Sequence, residues 1–269
     1  MNEDKLYAQL CTAVEQIAIE TGKFILEEQK KIDASDVLTK SNASFVTYVD
    51  KQAEAMIVDK LKKLLPEAGF VTEEGTAGEQ GESKLWIIDP LDGTTNYIHR
   101  VFPSSVSIAL TEHGEPVVGV VYEIGQKELF SAFKGGRATL NHQPIQVSVA
   151  SRSEDALIGT GFPYYDFDRL DDYIGVLREL MQTTRGLRRF GSAAVDLCYV
   201  ACGRFDAFFE HALHPWDVAA GAFIIEQAGG RVTDFNGKKN WLFGGEIIAA
   251  SNNYFDTFYS LVNSRLGYK

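Results

Sequence analysis

The chain has 269 residues, of which 45% are hydrophobic and 23% charged, as is typical of a globular protein with one large domain or two joined subdomains. Its net charge of −11 argues against binding to a nucleic-acid backbone, and no apolar run reaches the length of a membrane span. Small phosphorylated ligands remain compatible with this charge, because bound divalent cations reverse the local field.

The cysteines indicate a reducing compartment. Cys11, Cys198 and Cys202 form no disulfide framework, and no nearby residues complete a zinc set around the last two. We expect packed free thiols and a cytoplasmic protein. Glu3 and Asp4 before a helical pattern also argue against a signal peptide.

The first half predicts helices followed by a sheet. Apolar residues at helical spacing predict a helix over residues 5–30. Residues 36–49, rich in Ser, Asn and Thr, predict a loop or hairpin, and Asp50 is the expected N-cap of a second helix ending at Leu65. An exposed loop is expected over residues 76–84. Strands are predicted over residues 69–72, 85–88, 104–111, 116–122, 129–133 and 137–140.

The second half predicts another sheet with its own helices. The strands are expected over residues 157–161, 186–190, 205–210, 231–233 and 247–250, and the helices over residues 170–181, 191–202, 215–228 and 255–266. This order is typical of a layered α/β or α+β fold. The segment 150–153 predicts a boundary between one subdomain of residues 1–150 and another of residues 151–269.

The stretch from Trp86 to Asn96, W-I-I-D-P-L-D-G-T-T-N, carries the strongest indication of chemistry. A buried strand is expected to stop at Pro90, with Asp89 and Asp92 on either side of the break. Gly93 allows close approach of the backbone to a ligand, and Thr94 and Thr95 are expected to cap a helical turn. These features predict a site for a hard cation beside an anion, although an acidic surface turn is the alternative.

Two further acids follow the same pattern at the ends of predicted elements. Glu73 follows a short strand, and Asp217 lies in H-P-W-D-V-A-A-G at the start of a helix. With the central stretch, this set resembles the inositol monophosphatase family of magnesium-dependent, lithium-sensitive phosphatases. The resemblance runs from Lys40 and Asp50 to Gly230. It implies a five-layer αβαβα sandwich of the inositol monophosphatase and fructose-1,6-bisphosphatase type, and a homodimer.

The resemblance also implies a role for each residue and two to three Mg²⁺ ions per site. Glu73, Asp89 and the carbonyl of Leu91 resemble ligands of a first ion; Asp89, Asp92 and Asp217 resemble ligands of a second; and Glu73 holds a third through water. Asp50 and Thr94 resemble the pair that polarises the attacking water, so Asp50, Glu73 and Thr94 are the expected catalytic residues. The expected substrate contacts are Asp92, Gly93, Thr94, Gly191, Ser192, Ala193, Glu210 and Asp217.

These residue types suit a phosphomonoesterase that uses in-line attack by water. Magnesium prefers oxygen ligands, and two such ions can bind the attacking and leaving oxygens. The five histidines form no recognisable triad, in keeping with a reaction that needs no covalent intermediate.

The expected substrate is a small polyol or sugar phosphate, most plausibly myo-inositol 1-phosphate. No nucleic-acid or membrane partner is expected. The alternatives are fructose 1,6-bisphosphate, 3′-phosphoadenosine 5′-phosphate or NADP, or a non-catalytic binding or regulatory protein on this scaffold. Arg188 or Arg189 could bind a second phosphate, although paired arginines on a strand are more often surface charge. His99 and Arg100 could line the cleft, and Lys40 could help to hold a metal.

Overall fold

The computed structural model describes residues 3–31, 40–76, 83–163 and 167–267, with the side chains of residues 40–47 outside that description. In these ranges the α-helices are α1 (Glu3–Gln29), α2 (Lys40–Leu64), α3 (Thr94–His99), α4 (Leu170–Thr183), α5 (Ala193–Ala201), α6 (Pro215–Gln227) and α7 (Phe255–Leu266). Across the described residues, none of the helices combines the length and apolar character that crossing a membrane requires.

Within the described ranges, twelve strands form two sheets. The first sheet has the order β1 to β7, with strands at Gly69–Thr72, Lys84–Asp92, Ser105–Glu112, Glu115–Glu123, Glu128–Phe133, Thr139–Leu140 and Gln143–Pro144. The second has the order β11-β12-β10-β8-β9, with β8 at Leu157–Thr160, β9 at Gly186–Arg188, β10 at Ala207–His211, β11 at Gly230–Thr233 and β12 at Glu246–Ser251. In the first sheet β1 is parallel to β2, and the following neighbours are antiparallel.

The elements stack as five layers, which confirms the expected αβαβα sandwich. Helices α1 and α2 pack on the outer face of the first sheet, α5 and α6 lie between the sheets, and α4 and α7 cover the second sheet. Every residue of α5 is buried, because a helix between two sheets has no face left for water. Since α6 packs on β3 and β4, the two halves are closely joined, and the division at residue 150 stays a prediction.

The prediction of a loop over residues 36–49 is wrong from Lys40 onward. Helix α2 begins at Lys40, so Asp50 lies inside the helix, with a buried side chain, and does not cap its start. Val49, Ala53 and Ile57 pack into the core and hold this helix in place. Extending a formed helix adds one hydrogen bond per residue without new nucleation, which favours helix over the polar segment as well. Residues 36–39 of the expected loop, and residues 77–82 of the later loop, lie outside the described residues.

The central strand does not stop at Pro90 as expected. Strand β2 continues to Asp92, with a shift in its pairing with β3 between Asp89 and Asp92. Proline is tolerated at such a bulge because the ladder hydrogen bond is already interrupted there. The N-cap of α3 is Gly93 at φ 86°, and neither Thr94 nor Thr95 caps the helix. The left-handed conformation of Gly93 turns the chain directly from strand into helix.

Candidate metal and substrate site

A cavity of about 280 Å³ opens where β2, α5 and α6 meet. It is lined by Glu73, Asp89, Leu91, Asp92, Gly93, Thr94, Thr95, Gly161, Phe162, Arg189, Gly191, Ser192, Ala193, Asp196, Glu210, His211, Ala212, Leu213, His214 and Asp217. The lining joins the end of β2 to helix starts in the second half of the chain. It contains every predicted catalytic, metal-binding and substrate-contacting residue that the family resemblance implies, except Asp50.

The bulge in β2 places the first two carboxylates. Asp89 is buried, and its Oδ1 accepts a hydrogen bond from the backbone N–H of Leu91 at 2.9 Å. Asp92 Oδ2 accepts from the hydroxyl of Ser192 at 2.5 Å and from the N–H of Ala194 at 2.9 Å. Asp92 therefore ties the end of β2 to the start of α5, where the helix dipole favours a negative charge.

Asp217 comes to the same point from the first turn of α6. Its Oδ2 accepts the backbone N–H of His214 at 2.6 Å, which fixes the carboxylate at the helix start. One carboxylate oxygen each of Asp89, Asp92 and Asp217 lies within 4.8 Å of the others. Acids far apart in the sequence thus converge in a group that could hold a metal ion.

Glu73 joins this group from the end of β1. The residue is exposed at the mouth of the cavity, but protein atoms, including the carboxyl group of Asp89, crowd its carboxyl group. This loss of hydration, with the charges of Asp92 and Glu74, raises the pKa of Glu73 to about 7. Four predicted metal ligands are therefore neighbours.

The other acids of the group also have raised pKa values. Burial is the largest cause, and the charges of neighbouring carboxylates add to it. Together they raise the pKa of Asp217 to about 8 and that of Asp89 well above its usual range. Burial raises the pKa of Asp92 to about 6, against the opposing effect of its hydrogen bonds. Crowded carboxylates of this kind suit a divalent cation, which relieves their repulsion. All are hard oxygen donors, as is the Leu91 carbonyl, so the residues fit Mg²⁺.

Asp50 approaches this group from α2. Burial, followed by the charges of Glu73, Glu74 and Glu54, raises the pKa of Asp50 to about 8, and its Oδ1 accepts no hydrogen bond from the described residues. The hydroxyl of Thr94 donates to the carbonyl of Leu91 at 3.1 Å. The predicted joint role of Asp50 and Thr94 toward a water stays a prediction.

The opposite side of the cavity carries the residues expected to receive an alcohol. Gly191, Ser192 and Ala193 lie at the start of α5, and Glu210 projects from β10. Burial and nearby acids, first Asp196, raise the pKa of Glu210 well above its usual range. A Cβ on Gly161 would lie 1.7 Å from Glu210 Oε1, so glycine leaves the space that this carboxylate occupies.

Arg188 at the end of β9 and Arg189, the next residue, have different surroundings. Arg188 is exposed, and its guanidinium bonds the carbonyl of Leu187, whereas Arg189 lines the cavity. Arg189 lies over the ring of Phe162 at 5.7 Å and interacts electrostatically with Asp196 and Glu210.

Sequence reasoning missed several lining residues: Gly161, Phe162, Asp196, His211, Ala212 and Leu213. Asp196 had a detectable signal, since it is the one acid in an otherwise apolar helix, α5. His99 and Arg100 are exposed and do not line the cavity. Trp86 is buried in the core, and the partly buried Trp216 packs against the cluster between the sheets. The side chain of Lys40 lies outside the described residues.

Comparison with known proteins identifies a family and a fold. A profile of the Inositol monophosphatase family matches residues 5–265. The Nus factor SuhB of Pseudomonas aeruginosa is 41% identical over 250 residues, which cover 91% of this chain and 92% of that relative.

Solved structures agree with these sequence matches. The inositol monophosphatase of Anabaena superposes with a TM-score of 0.84 at 34% identity, covering 96% of each chain. The extragenic suppressor protein suhB of Bartonella henselae gives a TM-score of 0.84 at 35% identity, covering 94% of this chain and 99% of that one. The likeness therefore extends over both sheets and all five layers.

Proposed function

Because the chain belongs to the inositol monophosphatase family, we propose that it is a Mg²⁺-dependent phosphomonoesterase whose substrate is myo-inositol 1-phosphate or a similar polyol or sugar phosphate. The observation that carries this proposal is the convergence of Asp89, Asp92 and Asp217 oxygens within 4.8 Å beside a cavity. Glu73 and the Leu91 carbonyl complete the donor set for two to three Mg²⁺ ions. When bound, Mg²⁺ supplies positive charge and Lewis acidity for displacement at phosphorus.

The surrounding residues bind and orient the reactants. The backbone N–H groups of Gly93 and Thr94 hold phosphoryl oxygens, since amide hydrogens stabilise the spread negative charge of that group. Asp50, with a carboxylate oxygen free of hydrogen bonds from the described residues, polarises the attacking water together with Thr94. No side chain needs to form a bond to phosphorus.

The far side of the cavity receives the alcohol. Glu210 accepts hydrogen bonds from substrate hydroxyls, and the chain of Gly191, Ser192 and Ala193 lies against the ring. Arg189 faces Asp196 and Glu210, so its charge is offset by two carboxylates. This balance supports a neutral polyol there in preference to a second phosphate.

The test is phosphate release from myo-inositol 1-phosphate. With Mg²⁺ we expect turnover that chelator abolishes, and Asp89→Asn or Asp217→Asn lowers kcat/KM about 100-fold or more, since each removes a charged ligand. Asp59→Asn, which changes an exposed acid of α2, is the matched control and leaves kcat/KM unchanged. Full activity of both site variants, or activity in excess chelator, would refute the mechanism.

The alternatives keep the chemistry and change the substrate. Fructose 1,6-bisphosphate, 3′-phosphoadenosine 5′-phosphate and NADP are compared with myo-inositol 1-phosphate by kcat/KM. A higher value for any of them would reassign the substrate.

The second alternative is a non-catalytic binding or regulatory protein, and the name Nus factor of the Pseudomonas aeruginosa relative favours testing it. No phosphate release from any of these esters, by folded protein that binds Mg²⁺, would support it.

We also propose a cytoplasmic homodimer that lithium inhibits. Size-exclusion chromatography with light scattering tests the dimer, and phosphate release in the presence of Li⁺ tests the inhibition. A monomer at the concentration of the assay would contradict the first part.

A further inference from the structure

The short loop from Glu73 to Thr76 carries a proposed metal ligand beyond the end of a strand. Glu73 donates its backbone N–H to the carbonyl of Ile88 at 3.4 Å, which is a long bond at the end of the β1–β2 pairing. The position of the Glu73 carboxylate therefore depends on what holds the residues that follow.

The side chain of Glu54 holds them. Its Oε2 accepts the N–H of Glu74 at 2.8 Å, and its Oε1 accepts the N–H of Thr76 at 2.7 Å and the hydroxyl of Thr76 at 2.6 Å. All three donors belong to the loop that begins with Glu73. Hydrogen bonds to an ionised carboxylate are among the stronger ones in proteins.

The location of Glu54 is otherwise unfavourable. It is 0% exposed, and it lies one turn after Asp50 on the same face of α2, close enough to Asp50 and Glu73 to raise their pKa values. A buried carboxylate among like charges costs free energy unless donors compensate it. The three loop donors provide that compensation, so the buried charge and the loop hold each other in place.

We propose that Glu54 is a positioning residue for the metal site, acting through Glu74 and Thr76 to hold the Glu73 carboxylate opposite that of Asp89. This inference rests on the proposed function. Glu54 does not line the cavity, so it touches neither substrate nor ion. Mg²⁺ demands near-ideal octahedral geometry, so displacement of Glu73 weakens its binding.

The experiment measures Mg²⁺ affinity directly, by isothermal titration calorimetry with Mg²⁺ alone. Glu54→Gln keeps the shape of the side chain but replaces one acceptor oxygen by a donor, and we expect the dissociation constant to rise about 10-fold or more. Excess Mg²⁺ restores phosphate release by this variant. Thr76→Val removes one donor without changing any charge, and a smaller rise in the same direction is expected.

Glu123→Gln is the matched control. The Glu123 carboxylate is also buried and accepts the N–H groups of Gly125 and Gln126, but it lies outside the cavity. Its substitution lowers the free energy of unfolding in urea and leaves the Mg²⁺ dissociation constant unchanged.

Two results would overturn the positioning role: wild-type Mg²⁺ affinity in both site variants, or weaker binding by Glu54→Gln alone, which would assign the effect to charge. A wild-type protein that binds no Mg²⁺ and releases no phosphate would overturn the proposed function as well. These failures are therefore distinguishable from one another.

Discussion

Single residues at this site are constrained by space as much as by charge. A larger residue does not fit at position 161, because a Cβ added to Gly161 would lie 1.7 Å from Glu210 Oε1. A Cβ added to Gly93 would lie 2.9 Å from the carbonyl oxygen of Pro103. Gly93 also has φ 86°, a backbone conformation that residues with a side chain rarely adopt. Glycine at these two points lets the backbone and a carboxylate share one narrow cavity.

Gly161→Ala tests the role of that space. The added methyl group displaces the Glu210 carboxylate, so we expect kcat/KM for myo-inositol 1-phosphate to fall about 10-fold or more, since displacing a group that orients the substrate by about 1 Å is costly. Mg²⁺ affinity stays at the wild-type value, because Gly161 lies on the alcohol side.

Gly175→Ala is the control for this substitution. Its Cβ would meet only the flexible end of Arg265 at 3.0 Å, on α4 and outside the cavity. Kinetics of Gly161→Ala equal to those of the control would contradict the placement of Glu210 in substrate binding.

Helix starts decide the geometry at the scale of elements. The starts of α5 and α6 point their first residues into the cavity, and each is tied to one of the acids by a hydrogen bond. Strand β2 contributes the other side through its bulge. The site is thus assembled from the ends of elements whose middles form the core.

Ser192→Ala tests the link between α5 and β2. The Ser192 hydroxyl accepts the N–H of Val195 as an N-cap and donates to Asp92, so its loss lowers the free energy of unfolding by about 1 kcal/mol. Urea denaturation measures this change, and Ser192→Thr, which keeps the hydroxyl, is the control. Equal stability of Ser192→Ala and wild type would show that the cap does not contribute.

At the scale of the whole molecule, the fold brings several carboxyl groups close together. In the folded protein without metal, the pKa values are about 8 for Asp50 and Asp217, about 7 for Glu73 and about 6 for Asp92. Carboxyl groups in the unfolded chain titrate at about pH 4. Between these limits the folded state binds more protons than the unfolded state does.

Stability without metal is therefore expected to fall as the pH rises from about 4 to about 8, since the unfolded state binds fewer protons and the slope is negative. Thermal melts in chelator measure the decrease in Tm. Mg²⁺ replaces the bound protons, so it raises Tm more at the upper end of this range than at the lower end. A metal-free Tm that rises across the range would contradict the crowded-carboxylate arrangement.

Local pattern in the sequence determined the elements and the type of chemistry. The spacing of apolar residues predicts helices such as α1 and α7, and the central stretch from Trp86 to Asn96 indicates a cation site. Both predictions depend only on residues that are neighbours in the sequence. The predicted start of α2 was wrong, since a polar segment is compatible with either loop or helix until the helix packs.

Only the tertiary structure decided which residues meet. The approach of Asp217 to Asp89, the choice of Arg189 over Arg188 and the role of Glu54 under the loop of Glu73 depend on how five layers stack. Packing between distant segments sets these distances, because no local pattern along the chain specifies which elements meet. Sequence alone therefore identified the donors, and the fold determined their geometry.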